Sequence, residues 1–347
     1  MSEAVRASFH SQADSCAALG SPFTARVLRL LADHLAPGNP VADRVLDWPG
    51  DPSGRADALA LRLAAGLHAL VLMGQSAVLQ NLYENPEQFS DAKAAKTLLD
   101  AIAARPHVLM EWLNSAPQTN EVRRSAVLIA AGHWLAARFG LPMALSELGA
   151  SAGLNLNWDR YALEIGGTFG DPQSPLRLAP EWRGPPPPRT RPVVAERRAV
   201  DLNPLDVIGD SLRIRSYLWA DQPHRMALTQ EAIDLGAQHD ILVEAGDAVD
   251  WLAERLGAPM PGRQHLVYHT VVWQYFPKAT QARGEALLQA AGAAATDHAP
   301  LAHLAMESDG AEPGAALTLR LWPGGQVIPL GRADFHGRWV NWQAPAL

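Results

Sequence analysis

The chain has 347 residues, of which 48% are hydrophobic, with a formal net charge of −7 and a single cysteine, Cys16. Such a composition supports a sizeable core and excludes wholesale disorder, and the acidic balance (pI about 5.9) argues against a phosphate-gripping surface, which needs Lys and Arg to displace counterions. One cysteine excludes an internal disulfide and a cysteine-built zinc site.

The opening residues, "MSEAVRASFHSQADSCAALG", lack the continuous apolar stretch of a secretory signal. The longest apolar run near the front, residues 63–74, is too short to cross a bilayer and contains His68. The expected setting is therefore the cytoplasm, with neither membrane nor nucleic acid as a partner. One local basic stretch, 182–198, carries Arg183, Arg189, Arg191, Arg197 and Arg198. It reads as a solvated proline-rich loop.

Up to residue 139 the pattern is helical. In "SPFTARVLRLLADHLAPG" Ser21 is placed to cap a helix, Pro22 to begin it, and Phe23, Val27, Leu30, Leu31 and Leu35 to line one face. Three further amphipathic runs follow, ended by Gly or Pro, and no strand is expected before residue 140. The reading is a helical N-terminal region over 1–116 and an α/β domain over 117–347.

After residue 140 short apolar runs alternate with helical segments, the mark of a mostly parallel sheet. Strands are predicted at 143–148, 198–202, 240–244, 265–273 and 301–308. Two more, "ALTLRLW" and "GRWVNW", have no long helix between them and suggest an antiparallel close. Seven strands in this order predict a doubly wound, Rossmann-like sheet. An insertion at about 161–196 reads as a short β excursion followed by the proline-rich loop.

The stretch "LSELGASAGLNL", 145–156, joins the first strand to a helical turn, where open α/β sheets collect their ligands. Its glycines suit a backbone that turns with positive φ or admits a close ligand, and the start of the following helix favours an anion by about 0.3–2 kcal/mol. Gly149, Ser151 and Leu154 do not satisfy the G-x-G-x-x-G dinucleotide fingerprint. The G-x-S-x-G of Gly149, Ser151 and Gly153 permits a serine hydrolase elbow, with Asp309 or Asp334 and then His336 completing the chain order. Against it stand the helical region before the turn and the lack of an H-G-G-G-type oxyanion loop.

E-x-G-x-S-x-G, on Glu147, Gly149, Ser151 and Gly153, resembles the first motif of class I methyltransferases, with serine for the middle glycine. The resemblance implies S-adenosylmethionine as cofactor, with Glu147 facing its methionine portion. "AVDLNP" then places Asp201 where that family's acid takes the ribose hydroxyls, and "VEAGDAVDWL" places Asp247 at the adenine side. Each acid alone is more often a helix cap or a surface residue. The sequence departs from the family in the long gap between Glu147 and Asp201, the short helix after Gly153, and the lack of a D-P-P-Y-type segment after the fourth strand.

Long motifs across the chain, "QTNEVRRSAVL", "LSELGASAGLNLNWDRY", "AVDLNPLDV", "RSYLWADQPHR", "VYHTVVWQYFP" and "FHGRWVNW", resemble the bacterial domain-of-unknown-function family numbered 2332. They suggest a rim of Gln118, Thr119, Asn120 and Glu121 over the turn, although Thr119 or Asn120 can equally cap the next helix. Asn155 faces either ligand or solvent. Tyr268, His269, Trp273, Gln274 and Tyr275 offer an aromatic, hydrogen-bonding surface for an acceptor, or a buried aromatic core. His269, Tyr275 and His336 are the candidates for acid–base work. No metal-ligand spacing is present; His265 and His269 lie in a strand-like run. The expected function is methyl transfer from S-adenosylmethionine to a small-molecule or protein acceptor, with a non-catalytic cofactor-binding protein as alternative and a serine hydrolase third.

Overall fold

A computed structural model describes residues 3–239 and 241–347. The chain forms two compact units, one of residues 1–119 with 209–227, the other of residues 120–208 with 228–347.

The first unit is helical. It contains α1 (Glu3–Ala18), α2 (Pro22–His34), α3 (Pro40–Leu46), α4 (Leu59–Leu72), α5 (Ala77–Glu84), α6 (Asp91–Ala104) and α7 (Pro106–Leu113). Phe9, Leu28, Leu31, Leu63 and Leu67 are among the residues that close its core. The predicted cap of α2 works differently from expectation. Ser21 occupies the N-cap position, but its side chain makes no cap hydrogen bond. Its hydroxyl donates to Asp221, and that carboxylate accepts from the Phe23 amide at 2.9 Å. The helix start is thus closed by an acid from a distant segment, which a local pattern does not reveal. Among the described residues no single helix is long and apolar enough to cross a membrane.

The second unit opens with α8 (Ser125–Phe139), whose residues 125–135 are all buried and which stops at left-handed Gly140, φ 65°. Then come β1 (Met143–Leu148), β2 (Ala162–Glu164), β3 (Thr168–Gly170), β4 (Arg177–Leu178), β5 (Glu181–Arg183) and β6 (Val194–Asp201). Helix α9 (Ser211–Ser216) belongs to the first unit, and the chain returns to the second within α10 (Pro223–Ala237). The rest is β7 (Val243–Ala245), α11 (Ala248–Arg255), β8 (Gln264–Thr270), α12 (Lys278–Ala293), β9 (Leu301–Glu307), β10 (Ala315–Trp322), β11 (Gln326–Ala333) and β12 (Trp339–Trp342). As expected, the described residues before 140 contain no strand.

The main sheet has nine strands among the described residues, in the order β5-β12-β11-β10-β9-β8-β1-β6-β7, where seven were expected. Strands β7, β6, β1, β8 and β9 are mutually parallel, and β10, β11 and β12 close the sheet antiparallel. The additional strands are β5, which pairs with β12 from inside the insertion, and β11. The rest of the insertion supplies the three-stranded sheet β3-β2-β4, the expected β excursion. Pro329 concealed β11, because proline cannot donate to a ladder. It is tolerated because β12 pairs only with Gly331, Arg332 and Ala333.

Burial follows the layering. All six residues of β1 and all seven of β8 are buried, as expected of parallel strands covered on both faces, whereas β10 alternates between buried and half-buried positions. Counted by first appearance, the parallel strands stand in the order third, second, first, fourth, fifth. Chain direction across the sheet therefore reverses between β1 and β8, which opens a crevice at the carboxyl ends of those two strands.

Candidate functional site

The turn that leaves β1 enters this crevice. Gly149, Ser151 and Gly153 have φ of 67°, 55° and 71°. Only glycine adopts that region without cost, so Ser151 occupies a glycine-type position at roughly 1–2 kcal/mol. The turn is tied to β6: the amides of Gly149 and Ala150 donate to the Val200 carbonyl at 2.9 and 3.1 Å, and the Leu205 amide donates to the Ser151 carbonyl. Asp201 completes the tie, its Oδ2 accepting from the Ser151 amide at 2.8 Å and its Oδ1 from the Asn203 amide.

Glu147, two residues before the turn, is buried and accepts a hydrogen bond from the Tyr268 hydroxyl at 3.2 Å. Burial pushes its carboxyl up to about 8; the Tyr268 bond opposes this, the Asp201 charge adds to it and the Arg124 charge opposes it. A carboxylate this poorly compensated is the arrangement that a ligand cation would relieve.

Residues from before α8 brace the far side. The Asn120 carboxamide accepts from the Leu154 amide at 2.9 Å, so it caps the short 3-10 segment Leu154–Arg160, kinked at Asn157, and not its own following helix. Glu121 is buried, accepts from the Arg123 amide and pairs with the Arg123 side chain at 3.0 Å. Asn155 faces neither solvent nor open crevice: it accepts from the Ser125 hydroxyl at 2.7 Å and donates to the Glu121 carbonyl at 3.2 Å. Gln118 and Thr119 belong to the other unit. Asp247 is exposed and caps α11, accepting from the amides of Val249 and Asp250.

The three acid–base candidates lie in different settings. His269 is buried, with Nδ1 2.7 Å from Glu307 and Nε2 3.0 Å from Nε2 of His303, so both ring nitrogens are engaged. Burial and the neighbouring His269 hold His303 well below the ordinary imidazole range. Tyr275 is 66% exposed. His336 sits in the turn between β11 and β12, where its amide donates to Asp334. That turn is tied to the crevice by Arg124, whose Nε donates to the Phe335 carbonyl and whose Nη1 donates to the Thr270 carbonyl at the end of β8, both at 2.9 Å. Ser151 Oγ is buried with no hydrogen-bond partner among the described residues, and Asp309 is held by Arg332. Among the described residues no Ser–His pair of the hydrolase type is formed at Ser151.

Arg124, Val271, Val272 and Glu307 were not singled out from the sequence. Glu307 ends β9 as Asp201 ends β6, so the search for acids at strand ends, carried one strand further, reaches it. Val271, with φ 58°, carried no signal at all. A β-branched residue there is a true outlier, costing about 1–3 kcal/mol.

A family model described as an uncharacterized protein conserved in bacteria, DUF2332, matches residues 6–342. The chain belongs to this family. No curated protein and no solved structure matches it. In this DUF2332 protein the motif residues of the first, second and fourth parallel strands, Glu147, Asp201 and Tyr268, gather around one turn, while the motif containing Gln118 straddles two units.

Proposed function

We propose that this protein binds S-adenosylmethionine at the carboxyl end of β1 and transfers its methyl group to a small-molecule or protein acceptor. The observation that carries the reading is the turn itself: E-x-G-x-S-x-G with positive φ at all three small residues, set where the strand order reverses. We further infer that the five parallel strands form a Rossmann-like, methyltransferase-type core, a step that rests on analogy of fold and motif.

The residues at the turn fit such a ligand. Ser151 Oγ is a buried hydroxyl lacking a protein partner, and Glu147 is a buried carboxyl lacking an ion pair among the described residues. Glu147 would hold the cationic methionine end, Asp201 the ribose hydroxyls, and the side of Asp247 facing away from α11 the adenine. S-adenosylmethionine supplies a methyl group on a sulfonium. The protein supplies alignment: Asp201 fixes the turn through the Ser151 amide, Tyr268 fixes the Glu147 carboxyl, and Asn155 ties Ser125 to Glu121. Alignment of donor and acceptor is what such a transfer chiefly needs.

A second reading, cofactor binding without catalysis, is favoured by one observation: both nitrogens of His269 are engaged inside the protein. Thermal unfolding with S-adenosylmethionine, S-adenosylhomocysteine and NAD tests the site. Ligand at a hundred times its dissociation constant stabilises by about 2.7 kcal/mol, a rise of several degrees. A rise with the two sulfur compounds and none with NAD is expected, and Glu147→Ala abolishes it. No rise at millimolar concentration overturns the cofactor assignment. Turnover of a methyl group with any acceptor separates the two readings.

A further inference from the structure

The chain leaving β8 crosses directly over the glycine turn. Val271 still donates its amide to the Met306 carbonyl at 2.8 Å, in ladder fashion, yet its φ of 58° swings the next residues back across the crevice. Val272 then fills the notch at Gly149: a Cβ on that glycine would lie 2.3 Å from Val272 Cγ2. The face of the turn that glycine opens for a close ligand is therefore covered by a side chain of the same protein.

One carboxylate holds this cover. Glu307 Oε1 accepts from the amides of Val272 and Trp273 at 2.9 and 3.1 Å, and Oε2 accepts from the Gln274 amide at 3.4 Å. Three successive amides converging on an anion form a nest, which a left-handed residue at its start helps to shape. His269 adds a fourth contact to the carboxylate, to Oε1 at 2.7 Å, and stacks on Trp273, centroids 4.9 Å apart. Burial pushes the Glu307 carboxyl up, but these hydrogen bonds prevail and hold it below the ordinary carboxylate range, so it is an anion at neutral pH. Gln281 of α12 donates to the carbonyls of Trp273 and Phe276 at 2.9 and 3.0 Å and fixes the far end.

We propose that residues 271–276 are a strap over the Gly149 turn, latched by Glu307, which lifts to admit a ligand to the turn's backbone. The latch and the outlier at Val271 oppose each other. With the amides bound to Glu307, Val271 is forced left-handed; once they are released, it relaxes to the extended backbone that β-branched residues prefer. Closed and open strap are then two discrete arrangements of a single element, and a ligand that contacts the turn selects the open one. That the ligand is S-adenosylmethionine rests on the preceding proposal; the strap does not.

Hydrogen exchange of the full chain without ligand tests the strap alone. In Glu307→Gln, the amides of 272–274 should exchange at least tenfold faster, and those of 149–153 should accelerate with them, while β10 and β11 stay as in the wild type. Acceleration of 272–274 with 149–153 unchanged would show that the segment is not a cover. No acceleration in either would show that Glu307 is not a latch. If β10 and β11 also exchange faster, the variant is loosened as a whole and Val272→Ala decides: it spares the latch but shrinks the plug, so 149–153 alone should accelerate, and no change there overturns the strap. Adding S-adenosylhomocysteine afterwards separates the two proposals. Faster association with Glu307→Gln than with wild type supports both, whereas no binding to either protein refutes the cofactor and leaves the strap to stand on its exchange data.

Discussion

Ser146 and Glu147 are neighbours on β1, both buried, and the alternation of a strand sends their side chains to opposite faces of the sheet. On one face the polar groups form a linked circuit, in which Arg255 Nη2 is the buried atom left without a hydrogen-bond partner among the described residues. Arg255 Nε donates to Ser146 Oγ at 3.1 Å, which leaves the hydroxyl proton for His265 Nε2 at 2.8 Å. Burial and then the Arg255 charge push His265 down to about 3, so the ring is neutral and able to accept. Arg255 pairs with Glu196 at 2.9 Å, and Glu196 pairs with Arg263 at 2.8 Å. On the other face Glu147 has a phenol at 3.2 Å and, among the described residues, no ion pair. Two polar residues one position apart thus meet different settings: Ser146 has a guanidinium and an imidazole beside it, whereas Glu147, at the carboxyl end of the sheet, has a phenol and is held in its neutral form by burial. Burial alone does not distinguish the two positions; their partners do.

Removing a member of the compensated circuit should have the largest effect on folding. Arg255→Met takes a donor from the buried Ser146 and one of two partners from the half-buried Glu196, and each such hydrogen bond to a charged group contributes about 1.5–3 kcal/mol. Urea denaturation reads this loss directly. The increment added by S-adenosylhomocysteine should be unchanged, because Arg255 serves the opposite face. A variant as stable as the wild type would erase the contrast between the two faces.

Glu147 should respond in the other direction and with a dependence on pH. Its folded pKa, about 8, lies above the ordinary 4.5. Between these values the folded protein holds a proton that the unfolded chain has released, so stability falls as pH rises through this window and levels off above 8. The full span corresponds to at most about 5 kcal/mol. Glu147→Gln removes this loss: it should match the wild type near pH 4.5 and exceed it by about 2–4 kcal/mol at pH 9, measured by denaturation without ligand. A cationic ligand binds the ionised carboxylate, so wild-type affinity for S-adenosylmethionine should rise from pH 6 to pH 9. Equal pH dependence in the variant and the wild type would return Glu147 to the class of compensated residues.

The sequence made the central strands and the acids at their ends legible, because a continuous apolar run bounded by proline and glycine has little freedom. Strand β1 fills Met143–Leu148, the predicted 143–148, between Pro142 and Gly149. Strand β6 is longer than expected, because Val194, Glu196 and Arg197 pair with β1 although the proline-rich stretch precedes them. Strand β11 was hidden by Pro329, and β7 begins at Val243 where 240–244 was expected, with Asp240 outside the described residues. What sequence pattern does not carry is any feature set by a partner far along the chain. Asp221 closes the start of α2 across some 200 positions, and Glu307 gathers the amides of 272–274 from 33–35 residues away. The left-handed Val271 is of the same kind, since valine resists that conformation and only its surroundings impose it.

Ser151 offers the smallest effect and a sensitive test of what the turn is for. Two costs fall on it: a side chain at φ 55° and a buried hydroxyl without a partner among the described residues. Ser151→Gly removes both but gains unfolded-state entropy worth about 0.5–1 kcal/mol, and the expected net is a stabilisation of about 1 kcal/mol. Ser151→Ala keeps the strained Cβ and sheds only the hydroxyl, so it should fall between glycine and serine in thermal unfolding. If serine merely stands in for glycine, both variants retain the rise produced by S-adenosylhomocysteine. Loss of that rise in Ser151→Ala would identify the hydroxyl as a ligand contact. Loss of an esterase activity with stability intact would instead make it a nucleophile, whose base none of the described residues places beside its oxygen.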